Sequence, residues 1–163
     1  KNKNPCLVRL GKAPEIDYCK KEIKIKNNKG IVLTSGKDLT IFSTGNITSN
    51  VFDAVKKLQL QGHKIKLISL PILKPVNENF ILKNSKSTKV MSIEENIDIG
   101  GLSSLLTNLY FKSKFNKKIN FKSLSLKDKV HNDIGSQSYL RKINGLDEKS
   151  IMKAIRRFLN EKY

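Results

Sequence analysis

The sequence predicts an α/β fold in which an open, mostly parallel β-sheet carries helices on both faces, in three layers. Short apolar runs typical of strands alternate with segments of helical periodicity from about residue 39 onward, and their connections are short. In addition, the apolar run 90–93 leads through Glu94 and Glu95 to Gly100-Gly101 and an amphipathic stretch. This order indicates a strand, an acidic turn and a helix that begins at glycine, which is a unit of parallel sheets.

The separate elements follow from local patterns. The predicted strands cover residues 5–10, 39–44, 65–70, 90–93 and 119–124, and residues 12–38 predict a linker with one or two edge strands. Helices are predicted from behind Gly45 to Gly62, from Pro75 to Leu82, and over residues 101–111, 138–143 and 147–160. Ligands or partner domains of such sheets meet the carboxyl ends of the strands. Here those ends carry Thr44-Gly45-Asn46, Pro71, Glu94-Glu95 and Asp128.

Composition limits the class of protein. With 163 residues and 38% hydrophobic residues, the chain is long enough for one well-buried core and too short for two ordinary domains. It shows neither the apolar run of a membrane span nor a secretory signal, so we expect a cytoplasmic protein with Cys6 and Cys19 reduced. Because the chain begins with lysine and not methionine, we interpret it as a piece of a longer polypeptide.

The net charge of +18 suggests a nucleic-acid partner, but its distribution does not favour one. A nucleic-acid surface concentrates basic residues on one element, preferably with aromatic side chains for stacking. The lysines are instead spread along the whole chain and interrupted by apolar or acidic residues, which is typical of solvated faces. We therefore expect no specific nucleic-acid binding, whereas a phosphorylated small substrate is compatible with the charge.

Candidate catalytic groups are sparse. Glu94 and Glu95 would point to opposite faces if the strand continued, so we expect one of them to cap the next helix or to pair with a lysine. Gly100-Gly101 lacks the phosphate-binding glycine patterns, and the histidines and cysteines lack metal-ligand spacing. Arg9 and Lys12 flank the end of the first predicted strand and are candidates for a phosphate site, with a solvated basic turn as the equal alternative.

Taken together, several segments resemble the C-terminal domain of transketolase-type enzymes. That thiamine-diphosphate superfamily includes transketolase, 1-deoxyxylulose-5-phosphate synthase and the beta subunits of 2-oxoacid dehydrogenases. The resemblance covers about residues 36–160, and residues 6–16 resemble the end of that family's pyrimidine-binding domain. The matching pieces are Thr44-Gly45, Lys74-Pro75, Glu94-Glu95, Gly100-Gly101-Leu102, Gly135, Leu140 and Gly145-Leu146-Asp147.

The resemblance implies a division of the chain and a function. Residues 1–35 would be the tail of the pyrimidine-binding domain plus a linker, and residues 36–163 the C-terminal domain, whose motif residues make interdomain or structural contacts. The parent enzyme would transfer a two-carbon ketol unit between phosphorylated sugars as a homodimer, with Arg9 and Lys12 at the sugar phosphate. Thiamine diphosphate and Mg2+ would bind to domains that this chain lacks, so the fragment would not catalyse alone. A 1-deoxyxylulose-5-phosphate synthase domain and a non-catalytic interaction or regulatory module remain the alternatives.

Overall fold

The computed structural model describes residues 4–8, 24–87, 89–113, 118–130 and 132–161. The strands are β1 (Ile31–Thr34), β2 (Leu39–Thr44), β3 (Ile65–Ser69), β4 (Lys89–Ile97) and β5 (Asn120–Leu126). The helices are α1 (Ile47–Leu60), α2 (Glu78–Asn84), α3 (Leu102–Lys112), α4 (Gln137–Ile143) and α5 (Glu148–Asn160). The strands form one sheet in the order β1-β3-β2-β4-β5, in which β1 runs antiparallel to β3 and the other neighbours are parallel.

Helices cover both faces of this sheet. Successive side chains of a strand point to opposite faces, so Ile41 and Phe42 of β2 belong to two different apolar clusters although both are fully buried. The cluster around Ile41 includes residues of α1 and α5, and the cluster around Phe42 includes residues of α2 and α3. The three-layer, mostly parallel α/β architecture predicted from the sequence is thereby confirmed.

The first strand–helix unit agrees most closely with its prediction. Strand β2 has the predicted bounds, and the apolar residues that set the helical period, among them Val51 and Leu58, are buried on α1. Gly62 follows the end of α1 with a φ of +93°, a left-handed conformation that favours glycine. Its N–H donates to the Gln59 carbonyl, which closes the last turn.

The first predicted strand and the predicted start of the second helix are wrong. A strand was expected over residues 5–10, but residues 4–8 have no regular structure, and none of the five described strands pairs with them. The second helix was expected to begin at Pro75, but α2 begins at Glu78. Asn77 precedes it, and its side-chain oxygen accepts the Phe80 N–H at 2.8 Å, so an N-cap decides this start.

Part of the predicted linker belongs to the sheet of this domain. Strand β1 lies in the predicted linker, as an edge strand was expected to, and it pairs with β3 in the same sheet as the other strands. Of the two cysteines, Cys6 is an exposed free thiol, and Cys19 lies outside the described residues. Within the ranges that the structure describes, no helix has the length and apolar character needed to cross a bilayer.

Both ends of α5 are fixed by side chains. The Asp147 carboxylate accepts the N–H groups of Lys149 and Ser150. Partial burial tends to raise the pKa of Asp147, but hydrogen bonds to its carboxylate, first of all from the Ser150 hydroxyl, outweigh burial and lower the pKa. At the other end, the Lys89 ammonium donates to three backbone carbonyls at 2.6–2.9 Å. A cation at the negative end of a helix stabilises it, so Lys89 ties α5 to the start of β4.

The buried phenol of Tyr110, which is hydrogen-bonded to Ser85, is expected to make the protein less stable in strong alkali. Burial raises the pKa of Tyr110 to about 12, although the hydrogen bond between its hydroxyl and that of Ser85 (2.6 Å) opposes the rise. The unfolded chain releases the phenol proton near pH 10 and the folded chain only near pH 12. This contribution to stability is therefore present below about pH 10 and is lost as the pH rises toward 12.

We expect urea denaturation of the wild type to show a steeper fall in the free energy of unfolding over this alkaline interval than denaturation of Tyr110→Phe. The two proteins differ only in this hydroxyl group, so the difference between their pH profiles isolates the phenol. Parallel profiles would contradict the expected contribution of Tyr110.

Candidate functional site

The two adjacent glutamates lie inside strand β4 and not in a turn. The predicted acidic turn after residue 93 is wrong, because β4 continues to Ile97 through pairing with strands on both sides: Thr44 of β2 lies opposite Glu94, and Leu126 of β5 lies opposite Ile97. Consecutive strand residues point to opposite faces, so the side chains of Glu94 and Glu95 lie on opposite faces of the sheet. They do not form a carboxylate pair for acid–base chemistry.

Glu94 caps helix α3. Its side chain is buried, with 2% exposed, and its two carboxylate oxygens accept the N–H groups of Leu102 at 2.7 Å and Ser103 at 3.0 Å. The N-cap residue of α3 is Gly101, which has no side chain to do this. The carboxylate also lies at the positive end of the helix dipole. The capping predicted for one of the two glutamates is thus observed for Glu94.

The glycine pair makes this cap possible. Gly100 has a φ of +77°, which favours glycine. A Cβ on Gly101 would collide with the Glu94 carboxylate and would lie 2.5 Å from the Ile97 carbonyl oxygen, so the close approach requires glycine. The Gly100 N–H donates to Ser104 Oγ at 2.9 Å. The amides of this turn therefore bond within the protein, which agrees with the absence of a phosphate-binding pattern in the sequence.

Glu95 forms a network with Arg141 of helix α4. Arg141 Nε and Nη2 donate to the two Glu95 oxygens at 3.0 and 2.6 Å, a bidentate ion pair. Arg141 Nη1 donates to Asn50 Oδ1 at 3.1 Å, and Nη2 also lies 3.4 Å from Asn46 Oδ1. The network joins β4, the start of α1 and α4 at the carboxyl edge of the sheet. The predicted partner class was lysine, whereas the observed partner is a buried arginine.

Arg141 and Asn50 were not predicted as members of a site, and Asn46 was predicted only to lie at the carboxyl end of a strand. The partners of Arg141 lie 46, 91 and 95 residues away in the chain, so no local spacing could have linked them. One weak signal exists in α4, where the burial of Arg141 and the exposure of Ile143 (43%) reverse the usual pattern. Such a reversal becomes visible only when burial is known.

The remaining predicted residues are dispersed. Lys74 is exposed, precedes a cis proline and lines a cleft of about 450 Å3 between the β3–α2 connection and α3. Gly135 lies against the ring of Tyr139, and Gly145, with a φ of +71°, follows α4 and donates its N–H to the Lys142 carbonyl. Their interdomain role stays a prediction. Arg9 and Lys12, the predicted phosphate pair, lie outside the described residues.

The donor set at the carboxyl edge does not fit thiamine diphosphate and its magnesium ion. The Glu94 oxygens hold helix amides, and the Glu95 oxygens hold a guanidinium group. Among residues 4–8, 24–87, 89–113, 118–130 and 132–161, no three His, Cys, Asp or Glu side chains are grouped as metal ligands. The arrangement can cap a helix and clamp α4 onto the sheet, and we derive no chemical step from it.

Comparison with known proteins agrees with this architecture. A 1-deoxy-D-xylulose-5-phosphate synthase of Dehalococcoides mccartyi (strain CBDB1) is 31% identical over 147 residues, which are 90% of this chain and 22% of that protein. A putative transketolase C-terminal section of Methanocaldococcus jannaschii is 32% identical over 155 residues, which are 94% of this chain and 48% of that protein. The chain thus spans about a fifth and about a half of these two relatives.

Structure and family comparisons point the same way. A solved structure described as a split gene transketolase, inactive beta4 tetramer, superposes with a TM-score of 0.75 at 24% identity, over 86% of this chain and 45% of that one, which shows the shared fold. Residues 28–154, most of the chain, match the family model "Transketolase, C-terminal domain". The relatives named above bear the names of transketolase-type proteins. The chain belongs to the transketolase C-terminal domain family.

Proposed function

We propose that this chain is the C-terminal assembly domain of a transketolase-like enzyme that transfers a two-carbon ketol unit between phosphorylated sugars. The observation that carries the proposal is that the Glu94 and Glu95 carboxylates bind groups of this same domain. Both carboxylates stand at the edge where sheets of this class meet ligands or partner domains, and both are engaged in contacts within the domain. The edge is therefore built as a rigid structural surface, and the fragment would not catalyse alone.

The relatives support a larger parent enzyme. Because the chain spans only 22% and 48% of two of them, we expect the rest of the enzyme to supply the diphosphate- and pyrimidine-binding domains. Thiamine diphosphate and Mg2+ would bind there, and the parent would be a cytoplasmic homodimer. The division of the chain near residue 36, with β1 as an edge strand that the linker contributes, belongs to this proposal, as does the contact of Arg9 and Lys12 with a sugar phosphate. The neighbour described as an inactive beta4 tetramer is consistent with a C-terminal portion that is inactive by itself.

A second candidate function is the C-terminal domain of a 1-deoxyxylulose-5-phosphate synthase. The observation in its favour is the relative of that name from Dehalococcoides mccartyi, with 31% identity over 90% of the chain. The relative of similar identity from Methanocaldococcus jannaschii, a putative transketolase section, favours the first candidate. An interaction or regulatory module of the same fold is the alternative from outside the enzymes.

The parent enzyme's cofactor-binding domains, produced with and without this chain, test these candidates. One assay follows ketol transfer between phosphorylated sugars, and the other follows formation of 1-deoxyxylulose 5-phosphate. We expect ketol transfer when both parts are present and none from this chain alone. Formation of 1-deoxyxylulose 5-phosphate would favour the second candidate, and assembly without either activity would favour the interaction module. Tight binding of thiamine diphosphate to this chain alone in calorimetry would contradict the assembly role.

A further inference from the structure

Several runs near the carboxyl ends of the strands lack basic residues in a strongly basic protein, although Lys127 and Lys129 directly follow β5 and Arg141, paired with Glu95, lies on α4. Lysine and arginine make up 32 of the 163 residues, and the net charge is +18. Four runs that surround the carboxyl ends of the strands nevertheless contain neither residue. These runs are 44–50 after β2, 70–73 after β3, 94–104 at the end of β4, and 130–140, which extends from the β5–α4 connection into α4. Lysine is likewise depleted in protein–protein interfaces.

Apolar side chains are exposed at this edge. Ile134 is 95% exposed, Tyr139 46% and Ile143 43%, and we call these three residues the carboxyl-edge surface. Tyr139 and Ile143 are four residues apart on α4 and share its outer face. Gly135, next to Ile134, lies against the Tyr139 ring, which brings Ile134 close to that face. An exposed apolar group with polar residues around it is typical of an interaction site.

The helix that carries this surface is held rigidly from behind. Arg141 lies between Tyr139 and Ile143 in the chain but is buried, and its bidentate pair with Glu95 ties α4 to strand β4. The hydrogen bond from Arg141 to Asn50 ties the same helix to α1. A surface that is already ordered before binding loses less conformational entropy when a partner docks.

We propose that the carboxyl-edge surface is where this domain docks onto the cofactor-binding part of its parent enzyme. The proposal rests on the proposed function, because that function supplies the partner. The lengths of the relatives favour this partner over a second copy, since 52–78% of their chains lies outside the matched region and must meet this domain somewhere. The basic remainder of the surface would stay in solvent, where its charge costs no desolvation.

Site-specific photo-crosslinking in the whole parent enzyme tests this proposal. The photoreactive residue p-benzoylphenylalanine replaces Tyr139 in one variant and Phe111 in a matched control. Phe111 is an aromatic residue that is 88% exposed near the end of α3, on the opposite side of the sheet from the carboxyl edge. After irradiation, mass spectrometry identifies the crosslinked peptides. A further variant at Ile134, which is 95% exposed and packs little, covers the case in which the Tyr139 variant does not fold.

We expect the probes at positions 139 and 134 to crosslink to the cofactor-binding domains and the probe at position 111 to show no such product. Crosslinks from 139 or 134 to another copy of this chain, no crosslink from either, or the same product from position 111 would each overturn the proposal. The same preparations are assayed for ketol transfer. Transfer without the expected crosslink overturns the docking surface alone, and the crosslink without transfer overturns the proposed activity alone.

Discussion

Replacing Arg141 with methionine is expected to lower the free energy of unfolding by about 3 kcal/mol, because it leaves the Glu95 carboxylate without its partner. The arginine side chain is 10% exposed and donates to Glu95 through two nitrogens, and also to Asn50. The loss falls at the lower end of the range for buried pairs, since the Glu95 side chain is 28% exposed and water screens part of the charge. Urea denaturation monitored by circular dichroism measures the change.

Three further variants make the Arg141 prediction specific. Arg141→Lys keeps the charge but loses the bidentate geometry, so its stability should fall between those of the wild type and Arg141→Met. Lys142→Met changes the exposed neighbour on the same helix and should alter stability by less than about 0.5 kcal/mol. A double-mutant cycle of Arg141→Met with Glu95→Gln should give a coupling energy above about 1 kcal/mol. A coupling energy near zero would mean that the ion pair does not stabilise α4.

Replacing Glu94 with alanine is expected to destabilise the fold by about 3 kcal/mol, since two backbone N–H groups lose a charged acceptor in a buried place. The affected groups are the amides of Leu102 and Ser103, at 2.7 and 3.0 Å from the carboxylate. The favourable interaction with the α3 dipole is lost with them. Denaturation measures the change in the free energy of unfolding. Relative to the wild type, the substitution should accelerate amide hydrogen exchange more at Leu102 and Ser103 than at the other residues of α3.

The matched control for this variant is Glu78→Ala. Glu78 also stands in the first turn of a helix, α2, but it is exposed, so its removal should cost less than about 0.5 kcal/mol. Glu94→Gln keeps one acceptor oxygen but turns an N–H2 group toward a backbone donor, and we expect a loss between those of the two alanine variants. Equal stabilities of Glu94→Ala and Glu78→Ala would contradict the capping role.

The positions of most elements were predictable because they depend on local periodicity. The apolar run of residues 39–44 predicted β2 correctly. The helical spacing of Val51 and Leu58 predicted α1 correctly, since a helix that packs on a sheet must present one apolar face. The end of β4 was not predictable. Glu94 and Glu95 have low strand propensity, and the strand continues through them because neighbours on both sides pair with it. The start of α2 depended on Asn77, one of several residues able to cap a helix.

The α/β class, the order of the elements and the resemblance to the transketolase C-terminal domain follow from the amino-acid sequence alone, and the family match confirmed the resemblance. All three depend on residue types at short separations. The contacts of the polar residues, in contrast, depend on the three-dimensional arrangement of the elements. Glu94 reaches amides eight and nine residues away, and Arg141 binds a carboxylate 46 residues away across the fold. The energy of a hydrogen bond or ion pair depends on distance and burial in space, and local spacing carries no information about either.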